Sequence, residues 1–373
     1  MANTVINEFV PDYAVHPGEI LEEVLEAQDI SKGEFAERSG LTAKTISWII
    51  TGKNPVTSEN AIVFERVLGI SAQIWNNLDA EFRLFQARQK ARNCLDDAVE
   101  WSEKFPLAQL VKRGVIPNTK DPKEKAAALL NFFRVKNPDA WMALYGNMSV
   151  AFYKSAAFKS NYEAVVTWLR LAEIKAELIQ TEVYDPKKFK ESLSQIRSLT
   201  DKEPQIFEPK MKELCQKSGV ALVLVSELPG THLSGATRWL TSDKAMIALS
   251  LRHKSNDHFW FTFYHEAGHI LKHGKKDVYI DETTDKAATK QEQEANKFAA
   301  AFLVPESEYH DFVRNYPNPT KHHVSDFARS VGIAPGIIVG RLQHDKIVSF
   351  SWLNDLKVRF QLVENYKKGK GGK

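Results

Sequence analysis

His265-Glu-Ala-Gly-His269 sets two imidazoles and one carboxylate within five residues, between an apolar run (Phe259, Trp260, Phe261, Phe263) and Gly274. On a helix, positions i and i+4 share a face, so both rings can reach one cation. Glu266 follows directly and can point at a water held by that cation. The chemistry on offer is hydrolysis by a metal-activated water, and the ligand types favour Zn2+ over manganese or iron. Two histidines do not complete such a site, because a hydrolytic zinc usually has three protein ligands and an open position.

A third ligand is available downstream. Residues 291–305 read as a helix, amphipathic through Ala295, Phe298, Ala299, Phe302 and Leu303 and ended by Pro305. Glu292 and Asn296 stand four apart on one face, so Glu292 can bind the metal while Asn296 orients a ligand from behind. Glu294 is the rival ligand. Two residues away it points to a different face, so only one of the two serves, and Glu292 is preferred. His273, one turn beyond His269, is expected to act on the helix C-terminal dipole. Tyr264, Arg238, His253, His322 and His323 are candidates for stabilising an oxyanion, though a core or surface role is the simpler reading for each. Arg341 is either a site residue or a surface charge.

These residues need a frame. Val220–Val225, Thr237–Thr241 and Met246–Leu251 are strand candidates, which with the His265 helix make an α+β unit built on a three-stranded sheet. The chain has 373 residues, too many for one ordinary core. Its net charge of +3 decides little. No apolar run reaches the roughly 18 residues of a membrane span, so no membrane contact is expected. The N-terminus lacks a signal-peptide pattern, and a cytoplasmic protein is expected. Cys94 and Cys215 are the only cysteines and suggest neither a disulfide framework nor a thiolate site. Domains are expected at 1–90, 91–209 and 210–350, with a basic tail at 351–373. The middle region reads as charged helices with solvated faces, including a long amphipathic one from Asn161 to Thr181. A break near Tyr184-Asp-Pro186 suggests a hinge.

Within 1–90 the pattern is all helical. Ser31 with Glu34 reads as a capping box, Gly40 as a stop, and Thr42 as the cap of a helix whose Ile46, Ile49 and Ile50 face inward. Two short helices joined at Gly40 have the organisation of a helix-turn-helix. Ala43, Lys44, Thr45 and Ser47, with the capping Thr42, would then face a DNA groove, and Lys53 would meet a phosphate. A small bundle for dimerisation or protein docking fits the same pattern.

The runs His16-Pro-Gly-Glu-Ile-Leu-Glu-Glu, Phe35-Ala-Glu-Arg-Ser-Gly-Leu-Thr, Ile49-Ile-Thr-Gly-Lys and Leu68-Gly-Ile-Ser resemble the XRE-type helix-turn-helix family, closest to its HigA-like antitoxin branch. That resemblance implies an operator-binding module that works as a homodimer. Acidic residues outnumber basic ones over 1–90, however, which lowers the phosphate attraction expected of such a module.

His265-Glu-Ala-Gly-His269 followed by the 292–305 helix is similar to the ImmA/IrrE metallopeptidase family. The resemblance implies a gluzincin-like zinc site with His265, His269 and Glu292 as ligands and Glu266 as general base, acting on a repressor or antitoxin. Two functions follow as expectations. One is an operator-binding regulator fused to a zinc endopeptidase that cleaves a partner regulatory protein. The other is a non-catalytic antitoxin or autorepressor whose peptidase-like domain senses metal or grips a partner toxin.

Overall fold

The computed structural model describes residues 13–154, 161–274, 279–282 and 290–362. Packing divides the chain into two compact units, Met1–Asp97 and Ala98–Lys373. Residues 98–209, read from sequence as a region between two domains, share the second unit with the sheet. An extended arm is expected from sequence over residues 1–15; it lies outside the described residues up to residue 12, as does the basic tail from residue 363.

The first unit runs through α1 (Pro17–Ala27), α2 (Lys32–Ser39), α3 (Ala43–Ile50), α4 (Ser58–Leu68) and α5 (Ala72–Asn93). Helices start where a hydroxyl can take an orphan N–H: Ser31 accepts from the Glu34 N–H at 3.1 Å and Thr42 from the Thr45 N–H at 3.1 Å. Glu34 itself pairs with Arg38, one turn on. Leu21 and Leu25 of α1, Phe35 of α2 and Ile46 and Ile49 of α3 meet Phe64 and Trp75 in one buried core. Ile74, the neighbour of Trp75 on α5, is exposed. Ser31→Ala should cost α2 about 1 kcal/mol, read as roughly fivefold faster amide exchange along that helix.

The second unit continues with α6 (Asp96–Ser102), α7 (Leu107–Lys112), α8 (Pro122–Phe133), α9 (Pro138–Lys154), α10 (Tyr162–Glu177), α11 (Pro186–Arg197) and α12 (Pro204–Gln216). Strands β1 (Val220–Leu224), β2 (Leu233–Thr241) and β3 (Lys244–Leu249) follow, then α13 (Asn256–Lys272), β4 (Tyr279–Glu282), α14 (Lys290–Leu303), α15 (Glu306–Asn315), α16 (Lys321–Val331) and α17 (Pro335–His344). The three expected strands form, but the sheet has four, in the order β1-β3-β2-β4. β1 runs parallel to β3, whereas β2 is antiparallel to both β3 and β4. The fourth strand is only four residues long, too short for an alternating pattern to announce it.

Side chains alternate across β2. Thr237 turns toward α13, while Arg238 turns the other way and pairs with Glu173 of α10. Helix α10 corrects the sequence reading most. It is no half-solvated amphipathic helix: Val165 to Ala172 are buried throughout, and so are Arg170 and Glu173. Its charges satisfy each other, with the Arg170 guanidinium 2.9 Å from both Glu173 and Glu177 and 3.0 Å from the Phe132 carbonyl. Leu178, inside the range expected to be helical, lies beyond the helix and is exposed.

The expected hinge at Tyr184 is tied down. Its N–H donates to the Asp243 carbonyl at 2.9 Å. Gly219, at φ +83°, lies so close that a Cβ there would sit 2.2 Å from the Tyr184 Cα. Residues 351–362 also depart from the tail reading. The Asn256 N–H donates to the Val358 carbonyl at 2.9 Å and Lys357 pairs with Asp257 at 2.6 Å, pinning this segment to the first turn of α13. Helix α17 supports α13 from the side, as the bulk of its buried Ile337, Ile338 and Leu342 predicts.

Candidate metal centre

Helix α13 is buried on almost every side, a helix packed all round that carries its polar groups inside. Trp260, Phe263, Tyr264 and Ala267 are fully buried around it, and so is Glu266, while His265 and His269 are each 1% exposed. The helix forms because Asn256 and Asp257 open it with polar and acidic groups, and nothing within Phe259–Ile270 breaks it.

Helix α14 lies along α13 and is fixed at its far end. Arg197 donates to the Phe302 and Leu303 carbonyls at 3.0 Å, and Arg341 to the Ala300 and Val304 carbonyls at 3.1 Å. Arg341 also stacks over the Tyr309 ring at 3.9 Å, so it clamps the end of α14 rather than joining the site.

The two helices bring together three of the residues singled out in the sequence. His265 Nε2 lies 3.1 Å from Glu292 Oε2, His269 Nε2 lies 3.3 Å from Glu292 Oε1, and the two Nε2 atoms are 3.0 Å apart. Ligand atoms around a tetrahedral zinc stand roughly 3.3 Å apart, given bonds of about 2.0–2.1 Å, so the trio fits a small cation. His265, His269 and Glu292 are the group of His, Cys, Asp and Glu residues, among those described, whose ligand atoms gather this way. Their protonation also suits a cation. Burial pushes the Glu292 carboxyl up, but the His265 and His269 imidazoles facing it outweigh this and hold the group at about 2. Burial pulls the His269 imidazole down, against the pull of Glu292. A carboxylate and neutral rings are the forms that bind metal.

Behind the trio, His265 Nδ1 lies 2.8 Å from Asn296 Oδ1, so the amide oxygen receives the ring N–H and leaves Nε2 facing forward. Glu294 does not enter the trio; its Oε2 lies 3.2 Å from His273 Nε2. The ring of His273 bridges outward from His269, with the two Nδ1 atoms 3.0 Å apart.

Glu266 is held from the sheet. The Thr237 hydroxyl donates to Glu266 Oε2 at 2.6 Å. Gly235, two residues earlier on the same face, leaves the room: a Cβ there would meet Glu266 Oε1 at 2.7 Å. Sequence reasoning missed this pair because it started the strand at Thr237, and the first five residues of β2 are buried without an alternating pattern.

The remaining candidates are placed elsewhere. The Tyr264 hydroxyl donates to the Leu193 carbonyl at 2.9 Å and its ring stacks on Phe302. Arg238 faces α10. His323 closes a capping box with Thr320, and His322 lies 3.2 Å from Asp326. His253 stacks on His258 with ring centroids 4.0 Å apart. In the first unit, Thr42, Ala43, Lys44, Ser47 and Lys53 are exposed and Thr45 is half-buried, its hydroxyl 2.8 Å from that of Thr42. The Lys44 ammonium sits 4.5 Å above the Trp48 ring.

Comparison with known proteins follows the same division. Residues 218–342 match the IrrE N-terminal-like domain (Peptidase_M78), and residues 21–75 match a helix-turn-helix family. Over 73 residues the chain is 37% identical to the uncharacterized HTH-type transcriptional regulator YddM of Escherichia coli (strain K12), covering 20% of this chain and 78% of that protein. Among solved structures, PA4674 of Pseudomonas aeruginosa, in complex with its operator DNA, is 36% identical over 20% of this chain and 82% of its own, with a TM-score of 0.20. An addiction module antidote protein of a HigA family from Coxiella burnetii is 24% identical over 22% of this chain and 90% of its own, with a TM-score of 0.21.

Proposed function

Because this chain belongs to the XRE-type helix-turn-helix regulators through its first unit and carries an IrrE N-terminal-like domain in its second, we propose that it is an operator-binding regulator with a zinc-dependent endopeptidase site. The observation that carries the enzymatic half is the convergence of His265, His269 and Glu292 with Glu266 on the same helix. When bound there, zinc lowers the pKa of a water to about 7 and polarises a carbonyl. Glu266, steadied by Thr237, takes the proton of the attacking water and passes it to the leaving amine. Asn296 keeps the His265 ring in its binding orientation. The substrate class is a peptide bond in a partner regulatory protein, a repressor or antitoxin, so the chemistry belongs in the cytoplasm. No helix among the described residues is long and apolar enough to cross a membrane.

For the regulatory half, Thr42, Lys44, Thr45 and Ser47 present the start of α3 to a DNA groove, and Lys53 reaches a phosphate. A homodimer would read a two-fold operator. Lys53→Ala should weaken binding to the chain's own upstream DNA by a similar factor for specific and unrelated sequences. It should also lower the slope of log K against log salt by about 1. A slope that does not change in a fluorescence anisotropy titration removes Lys53 from the interface. The test of the whole reading is comparison of zinc-loaded protein with its Glu266→Gln variant on partner regulatory proteins, repressors and antitoxins. Equal survival of every partner would leave a metal-binding regulator without turnover.

A further inference from the structure

His273, at the end of α13, and Glu294, on α14, stand beside the trio without joining it, and together they form a line with a metal-facing ring. Glu294 Oε2 stands 3.2 Å from His273 Nε2, and His273 Nδ1 stands 3.0 Å from His269 Nδ1. The His273 side chain is 4% exposed while Glu294 is 41% exposed, so the line runs from the buried ring to the surface of α14. Lys290, one turn before Glu294 on the same helix, lies 3.9 Å from its other oxygen.

Hydrogen-bond accounting gives the line a direction. An ionised carboxylate only accepts, so the contact with Glu294 needs a hydrogen on His273 Nε2. A neutral imidazole with its proton on Nε2 has its lone pair on Nδ1. That lone pair faces His269 Nδ1 and requires the hydrogen there. His269 is then left with a lone pair on Nε2, the atom 3.3 Å from Glu292 and 3.0 Å from His265 Nε2. Resting on the metal reading above, we propose that His273 and Glu294 are a positioning pair that fixes the His269 imidazole in its metal-binding tautomer. Asn296 performs the same service for His265 in one step. The longer route for His269 arises because its ring lies a turn nearer the helix end, where α14 offers a carboxylate rather than an adjacent amide. Glu294 is thus an acid that works through a histidine, not a spare ligand.

Two measurements on the full chain test this. In two-bond nitrogen–proton spectra of histidine-labelled, metal-free protein, His269 should carry its proton on Nδ1 and His273 on Nε2. Glu294→Ala should spread the His273 proton over both nitrogens. A wild-type spectrum with the His273 proton on Nδ1 alone overturns the proposal. In zinc titrations against a competing chelator, Glu294→Ala should weaken binding by about 10–100-fold. Glu294→Gln should recover most of that loss, because its amide oxygen accepts the same N–H. In a His273→Phe background, Glu294→Ala should add nothing. A full additional loss in that background would make Glu294 a direct ligand and refute the pair. Protein that shows the tautomer pattern but takes up no zinc supports the pair and sinks the metal reading. Tight zinc binding that ignores Glu294→Ala does the reverse.

Discussion

Glu266→Gln is expected to leave zinc in place and to slow cleavage of a partner protein by about 10²–10⁴-fold, the range a positioned general base contributes. The geometry separates the two effects. Glu266 lies on the side of α13 that meets β2, where the Thr237 hydroxyl donates to it at 2.6 Å, whereas Glu292 stands against the two imidazoles. The amide has nearly the carboxylate's shape and can still accept from Thr237, so packing beneath Gly235 should hold. What it cannot do is take a proton. Metal content and melting temperature should therefore match the wild type while the amount of cleaved partner falls, measured by mass spectrometry of new N-termini. Cleavage at the wild-type rate would remove Glu266 from the chemistry, and no cleavage by either protein would favour the metal-sensing regulator.

His269→Ala should take a ligand from the metal outright. It removes one donor and, with it, the link to His273, so zinc affinity should fall well beyond the roughly 10–100-fold typical of losing an outer partner. The loss has a stability signature. A ligand present at about 1,000 times its Kd stabilises the folded state by about 4 kcal/mol, so zinc should raise the melting temperature of the second unit in wild-type protein. The variant should melt at the same temperature with and without zinc. Persistence of the zinc-induced shift would move the site away from this trio. Acid should release the ion as well. Glu292 is held at about 2 and His269 below its ordinary range, so the rings gain protons and lose their lone pairs before the carboxylate does.

How much of this was legible in the chain depended on whether a rule of spacing reached it. The pairs His265 with His269 and Glu292 with Asn296 are each four apart on long helices, so periodicity alone put each on a common face. It also put Glu294 on another. The helix-turn-helix signals were equally local, with Ser31 and Thr42 as caps and Gly40 as a stop. What periodicity could not see was charge kept inside. Arg170 and Glu173 fall among apolar residues of α10 and read as solvated, yet they are buried because Glu177, Arg238 and the Phe132 carbonyl complete their hydrogen bonds. Nor could it pair residues across elements: Thr237 with Glu266 and His273 with Glu294 meet only once β2, α13 and α14 are packed. Strand β4 was too short to register, and residues 351–362 were read as tail because their anchor on Asn256 and Asp257 lies about a hundred residues back in the chain.

The most direct test of the central claim is a zinc titration of metal-free protein, with Glu292→Ala and Glu294→Ala run beside the wild type. One equivalent should bind the wild type, one should bind Glu294→Ala more weakly, and Glu292→Ala should bind none at this site. Retention of the ion by Glu292→Ala, with its loss from Glu294→Ala, would contradict the account.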